Sequence, residues 1–510
     1  VGSFYVKVND TTLTTKVGQQ SAIDVSVGAL DHFTVTGIND PTDTDTDESP
    51  VVTAFDADNN VKTDYVGEIT FTSDDGSATL PGDYTFLVGD SGTKTFTNGV
   101  NFATTGTYYV KVNDTTLTTK TGEQSNIDIN PGALDHFTVT GITDPTDTDA
   151  DESPVVTAFD ADNNIKTDYV GEITFTSDDG SATLPLDYTY LVGDSGVKTF
   201  TSGVNFATTG SFYVKVNDTT LTTKVGQQSA IDVNPGALDH FTVTGITDPT
   251  NTDDDESPVV TAFDADNNIK TDYVGEIAFT SDDGSATLPG DYTYLVGDAG
   301  VKTFTNGVNF AGVGSFYVKV NDTTLTTKVG QQSNIDVNVG AIDHFTLVDI
   351  DDPTATDEVH SPTVTAYDSD NNIKTDYVGE IAFTSDDGSA IMPADYTFLV
   401  GDSGTKTFTS GVQMQTVGEF YVRVTDTSVP AATGEITSIT VLAGPLDHFT
   451  VTTISDPTTT DNDETAVVIA YDAAVNVKVN YVGTITFTSD DGSATLPGDY
   501  TFLLADAGSK

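Results

Sequence analysis

The sequence predicts an all-β chain of tandem sandwich domains, each 104 residues long, and three observations predict it. One motif recurs at a fixed period, the apolar residues alternate in short runs, and no stretch carries the 3.6-residue apolar period of a helix. Leu-Asp-His-Phe begins at Leu30, Leu134, Leu238 and Leu446, with Ile342 replacing leucine in the remaining copy, so each step is 104 residues. That period is too long for a solenoid unit and suits one autonomous β-sandwich.

The joints fall near Pro131-Gly132, Pro235-Gly236, Val339-Gly340 and Ala443-Gly444. They divide the chain into a partial repeat at 1–27, four full repeats at 28–131, 132–235, 236–339 and 340–443, and a partial repeat at 444–510. Linkers of a residue or two predict beads on a string, extended and fairly stiff. Within 28–131 we read seven strands, at 33–38, 51–55, 68–72, 84–88, 94–102 with a break at Asn98-Gly99, 107–112 and 125–129. Ile69 and Phe71, Tyr84 and Phe86, and Tyr108, Val110 and Val112 sit two apart and should face one core. Asn59-Asn60, Asp75-Gly76, Gly89-Asp90 and Asn113-Asp114 supply turn chemistry between the runs.

The chain of 510 residues carries 78 acidic against 19 basic side chains, a formal net charge of -59. That is about 12 excess negative charges per repeat, which argues against nucleic acid or anionic lipid as partners and for divalent cations. With 36% hydrophobic residues, many of them aromatic or β-branched, it is not a disordered acidic tail. There is no cysteine, so neither disulfides nor thiolate metal sites hold the domains. No apolar run approaches the ~20 residues that span a bilayer as a helix, so no direct membrane insertion is expected in this segment. The sequence opens at Val1-Gly2-Ser3-Phe4 in mid-repeat, and we read it as an excerpt.

Three stretches carry a family resemblance: Phe55-Asp56-Ala57-Asp58-Asn59-Asn60, then Tyr65-Val66-Gly67-Glu68-Ile69-Thr70-Phe71-Thr72-Ser73-Asp74-Asp75-Gly76, then Leu80-Pro81-Gly82-Asp83-Tyr84-Thr85-Phe86. They resemble the bacterial immunoglobulin-like repeats of large cell-surface proteins of the invasin, intimin and giant-adhesin type. The resemblance covers every repeat. It implies immunoglobulin-like sandwiches, an extracellular or cell-surface location, and a stalk, extender or fibre-forming role, often calcium-stiffened. The last copy departs from it at Asp472-Ala473-Ala474-Val475-Asn476, which loses the second aspartate of the turn.

If the strands run up and down in order, loops 40–48 and 74–83 lie at the trailing pole of each repeat, and loops 56–60, 89–92 and 113–116 at the leading pole. Two acidic poles then meet at every joint, and like charges a few ångströms apart cost about 1 kcal/mol per pair even in water, so a bridging calcium is expected. The candidate ligands are Asp40, Asp45, Asp74 and Asp75, repeated as Asp144, Asp149, Asp178 and Asp179, as Asp248, Asp253, Asp282 and Asp283, and as Asp352, Asp357, Asp386 and Asp387. Asp43 and Asp47 are poorer candidates, since Ala355 and Val359 stand at their places in the fourth full repeat.

Other features point to less. His32, His136, His240, His344 and His448 offer one imidazole per repeat, too few for a zinc site, and alternation turns them away from the core. Asp74 and Asp75 adjoin in one loop instead of facing across a cleft, no serine or threonine has a nucleophile-activating histidine beside it, and no enzyme activity is expected. Asn9-Asp10-Thr11 and its copies at Asn113, Asn217 and Asn321 match a glycosylation acceptor but read better as Asx turns. Lys62, Lys166, Lys270, Lys374 and Lys478 raise an intramolecular lysine–asparagine crosslink as a minor alternative. The sequence reading is a structural spacer that associates with copies of itself or with neighbouring repeats of the same chain. Its alternatives are a glycan- or protein-binding adhesin module and a self-assembling sheath or fibre subunit. Residues 1–26 could also complete the partial domain of another subunit by strand exchange.

Overall fold

Phe33, Val35, Val52, Ala54, Ile69, Phe71, Val110, Val112, Ile127 and Ile129 are buried at every second position of their strands, and two sheets close over them. Each such side chain contributes about 1.5–3 kcal/mol by leaving water. The computed structural model describes residues 1–510 as two units, Val1–Ala237 with Asp264–Lys270, and Leu238–Phe263 with Thr271–Lys510. The loop Asp264–Lys270 of the third full repeat thus belongs with the second, on which it packs.

The first unit opens with a hairpin of β1 (Gly2–Asn9) and β2 (Val17–Val25), on which Phe4, Val6 and Val8 are exposed. The first full repeat follows: β3 (Leu30–Thr36), β4 (Thr42–Asp43), β5 (Val51–Asp56), β6 (Glu68–Ser73), β7 (Tyr84–Thr85), β8 (Thr93–Thr95), β9 (Gly106–Asp114) and β10 (Thr121–Asn130). A five-stranded sheet in the order β4-β10-β9-β6-β7 faces a three-stranded sheet in the order β3-β5-β8. The same pair of sheets recurs in the second full repeat, and again in the third and fourth within the other unit. Within each full repeat one pairing is parallel and the rest antiparallel; in the first it is that of β4 with β10, Thr42 opposite Ile129 and Asp43 opposite Asn130. In the last partial repeat His448–Thr452 pairs with Val467–Tyr471 and Thr484–Ile485 with Tyr500–Thr501.

Two of the expected strands and one expected loop differ. The strand expected over 84–88 stops at Thr85, because Asp90 accepts a hydrogen bond from the Leu87 amide at 2.8 Å and bends Val88–Asp90 into a single 3-10 turn. The strand expected over 94–102 is β8 alone. A turn at Asn98, whose φ is 49°, breaks the ladder, and Val100 and Asn101 are held only by isolated bridges to Glu48 and Thr79. Loop 40–48 contains β4, where Thr42 is buried and donates to the buried Glu48 carboxylate at 2.5 Å.

One pole of the repeat is tied shut from inside. The buried Tyr65 hydroxyl donates to Asp114 at 2.6 Å, and the other oxygen of Asp114 accepts the Thr116 and Leu117 amides. Burial, and then the Asp114 charge, push the Tyr65 hydroxyl far above the ordinary tyrosine range. Asn113-Asp114-Thr115 is therefore an Asx turn in structure, with Asn113 paired across to Thr121.

Candidate functional site: the joint between repeats

The residues that matter converge where one repeat ends and the next begins. At the first joint, Asp160 of the second full repeat is 1% exposed and reaches back to the first. Its Oδ2 accepts the Thr44 hydroxyl at 2.8 Å and the Gly132 amide at 3.1 Å, while its Oδ1 accepts the amides of Asp162 and Asn164 at 3.1 and 2.7 Å. Burial pushes the Asp160 carboxyl up, but the bonds from Asn164, Thr44 and Gly132 outweigh it and hold the carboxyl below its ordinary value. Thr44 is equally buried, and its oxygen also accepts the Gly132 amide at 2.9 Å.

Gly132 has to be glycine here. A Cβ at that position would lie 2.9 Å from Asp45 Cγ and 3.0 Å from Thr44 Oγ1. Two further contacts cross the joint: the Asn164 side chain donates to Ala103 O at 3.0 Å and accepts the Thr105 amide at 3.3 Å. Lys166 donates to Pro131 O at 3.0 Å and pairs with Asp168, so its amine meets a carbonyl and a carboxylate, not the asparagine that a crosslink would need.

The arrangement recurs at each joint. Thr148 meets Asp264 at 2.8 Å, Thr252 meets Asp368 at 2.7 Å and Thr356 meets Asp472 at 2.6 Å, all buried. Asn268, Asn372 and Asn476 each bond a carbonyl of the preceding repeat, at Ala207, Ala311 and Gln415. At the third joint Asp253, Asn338, Gly340 and Lys374 line an open groove of ≈ 510 Å³.

The aspartates singled out from the sequence divide into two pairs. Asp45 and Asp75 face Asp162 across the joint. Loss of water, and then the charges of Asp160, Asp45 and Asp75, push the Asp162 carboxyl up. Asp149 and Asp179 face Asp266 in the same way, and Asp253 and Asp283 face Asp370. Asp40 and Asp74 bond within their own repeat, to the amides of Asp128 at 3.0 Å and Tyr109 at 2.9 Å. Their counterparts do likewise: Asp144, Asp248 and Asp352 hold residues 232, 336 and 440, and Asp178, Asp282 and Asp386 hold residues 213, 317 and 421. Asp75 already accepts the Ser77, Ala103 and Thr104 amides, and Asp179, Asp283 and Asp387 hold their loops alike. Nowhere do three or more His, Asp or Glu side chains converge as a ready metal cage.

Thr44, Gly132, Asp160 and Asn164 are the joint residues that pattern reading missed. Asp160 and Asn164 were visible as turn formers, but their partners lie in the preceding repeat. His32 stands where alternation put it, half-exposed and stacked on Phe55 with ring centroids 5.4 Å apart.

No family profile matches the sequence, and no curated protein does. Solved structures similar to it include the Escherichia coli adhesin FdeC, at 16% identity over 61% of this chain and 98% of that one, with a TM-score of 0.31. Invasin, a bacterial integrin-binding protein, matches at 14% identity over 80% of this chain and 78% of its own, with a TM-score of 0.30. Domains 4–9 of the surface layer protein SbsC match at 16% identity over 90% and 73%, with a TM-score of 0.21.

Proposed function

We propose that this chain is a load-bearing extracellular spacer at a bacterial cell surface, its joints stiffened by calcium. The repeated joint carries the reading: a buried threonine–aspartate bond ties each full repeat to the next at the same place. Two domains on a free tether would have no reason to bury a carboxylate between them, because burying a charge costs several kcal/mol unless it is fully bonded. The surface location rests on the resemblance of the repeat motifs to bacterial surface repeats.

Calcium enters through Asp162, Asp266 and Asp370. Each faces carboxylates of both repeats it joins, and the donors are hard oxygens of the kind calcium takes. Asp45 and Asp162 would bridge the ion from the two sides of the first joint, with carbonyls and water completing six to eight ligands. The ion supplies charge neutralisation and a link between repeats. Calorimetric titration of the whole chain with calcium tests this. Three equivalents should bind, Ala474→Asp should add a fourth, and chelation should lower the melting temperature. Absence of heat, with melting and stiffness unchanged by chelator, ends the calcium part.

A second reading, lateral assembly into a sheath, is favoured by one observation. Leu87 and Val88 are 60% and 75% exposed at the tip of a 3-10 turn, and Leu191 and Val192, Leu295 and Val296, and Leu399 and Val400 repeat them. Sedimentation of the chain over a concentration series separates a monomeric spacer from an assembling one.

A further inference from the structure

The linkers between repeats are bound along their length. As the chain leaves the first full repeat, it runs parallel to segment 42–45 of that same repeat. Ile129 pairs with Thr42 and Asn130 with Asp43. The Thr44 amide then donates to Asn130 O at 3.1 Å, Gly132 donates to Thr44 Oγ1 at 2.9 Å, and Ala133 donates to Asp45 Oδ2 at 3.0 Å. The strip reappears at the second joint through Thr148, Asp149, Gly236 and Ala237, and at the third through Thr252, Asp253, Gly340 and Ala341.

We infer that this strip is a mechanical latch, which tension along the chain loads in shear. The inference rests on the load-bearing reading and says where the load is held. A hairpin pulled from its open end loses its bonds one at a time. A strand drawn along its own axis past a parallel neighbour must strain all the bonds between them together, and the bonds of a parallel pair are evenly spaced. The exit segment 129–133 is drawn onward by the next repeat, while 42–45 is anchored in its own repeat. Thr42 donates to the buried Glu48, which also accepts the Asn39 amide at 3.1 Å. Glu48 itself exchanges backbone bonds with Val100 in the core at 2.7 and 3.1 Å. The Thr44 hydroxyl bonds Asp160 as well, so load from the next repeat reaches the strip through a side chain as well as the main chain.

The fourth latch is shorter by one bond. Pro445 stands where the other joints have Ala133, Ala237 and Ala341, and a proline has no amide hydrogen to give Asp357. Repeat 340–443 should therefore release first.

The test is to stretch the 510-residue chain from its two ends in a single-molecule force instrument. The control is the same chain gripped through cysteines introduced at Thr107 and Asp128, exposed partners at the open end of the β9–β10 hairpin, which peels β9 from β10 bond by bond; the chain has no cysteine of its own. Among the unfolding events of the four full repeats, the weakest should lie roughly a fifth below the rest, as one of about five comparable bonds is missing. Pro445→Ala should raise that event to the level of the others, and Asp45→Ala, at an exposed side chain, should lower one of the others by a similar fraction. Full-repeat events stronger than the peeling control but unmoved by both substitutions overturn the latch and leave the load-bearing reading standing. Events no stronger than the peeling control overturn both.

Discussion

The first three joints and the fourth share a buried centre and differ around it. All four keep the threonine–aspartate–glycine contact, Thr356, Asp472 and Gly444 at the fourth being arranged like Thr44, Asp160 and Gly132 at the first. The fourth has Ala474 where the others have Asp162, Asp266 and Asp370, and Pro445 where they have alanine. In the repeat before it, His360 replaces the buried Glu48, Glu152 and Glu256, and bonds Thr354 at 2.6 Å as Glu152 bonds Thr146. Lys478 has moved onto two linker carbonyls, Ala443 O and Gly444 O. The buried contact is thus separable from the acidic rim. The first joins the repeats, and on the proposed reading the second would set how that join responds to ions and acid.

The largest effect should come from removing the shared centre. Asp160→Ala leaves the Thr44 hydroxyl, the Gly132 amide and the Asn164 side chain short of a partner in a dry joint, and should cost about 3 kcal/mol, read in urea denaturation as an early transition of the adjoining repeat. Asp472→Ala should cost as much at the fourth joint. An effect confined to the first three would mean that the rim, not the centre, carries the join. Thr44→Val keeps the shape and removes one donor, and should cost about 1–2 kcal/mol by the same measurement.

Acid should separate the two kinds of joint more gently. In the unfolded chain these aspartates titrate at the ordinary carboxylate value. The carboxyls of Asp160, Asp264, Asp368 and Asp472 are held below it, so the stability they bring is present above that value and is lost as pH falls through their lowered ones. Asp162, Asp266 and Asp370 are shifted up, so their ionised forms cost the folded state, and that cost is relieved as pH falls through the raised values. The melting temperature should therefore rise slightly on mild acidification before it falls. Substituting Asp162, Asp266 and Asp370 together by alanine should abolish the rise and leave the fall.

Much of the repeat was legible before the structure. Ile69, Phe71, Val110 and Val112 are core because they alternate, and alternation needs no knowledge of partners. The meeting of acidic poles followed from counting strands, and it brought Asp45 and Asp75 to the joint. Strand β4 was not legible: two residues within a run of Asp and Thr show no alternation, and their parallel partner lies 87 residues on. Thr44 was hidden for the same reason, since it bonds an aspartate 116 residues away in another repeat. Val100 and Phe102 are buried two apart, as the strand expected over 94–102 would have them, but burial alone does not make a ladder, and single bridges hold that segment.

The claim at the centre is that the joint is a built contact, and the distance between neighbouring repeats tests it most directly. Spin labels on cysteines introduced at the exposed outer-face positions Thr72 and Thr176 report that distance across the first joint. Pulsed electron resonance should give one narrow distance distribution in the otherwise unaltered chain and a broad one when Asp160→Ala is added. A distribution already broad with Asp160 in place, or one that stays narrow without it, would contradict the account.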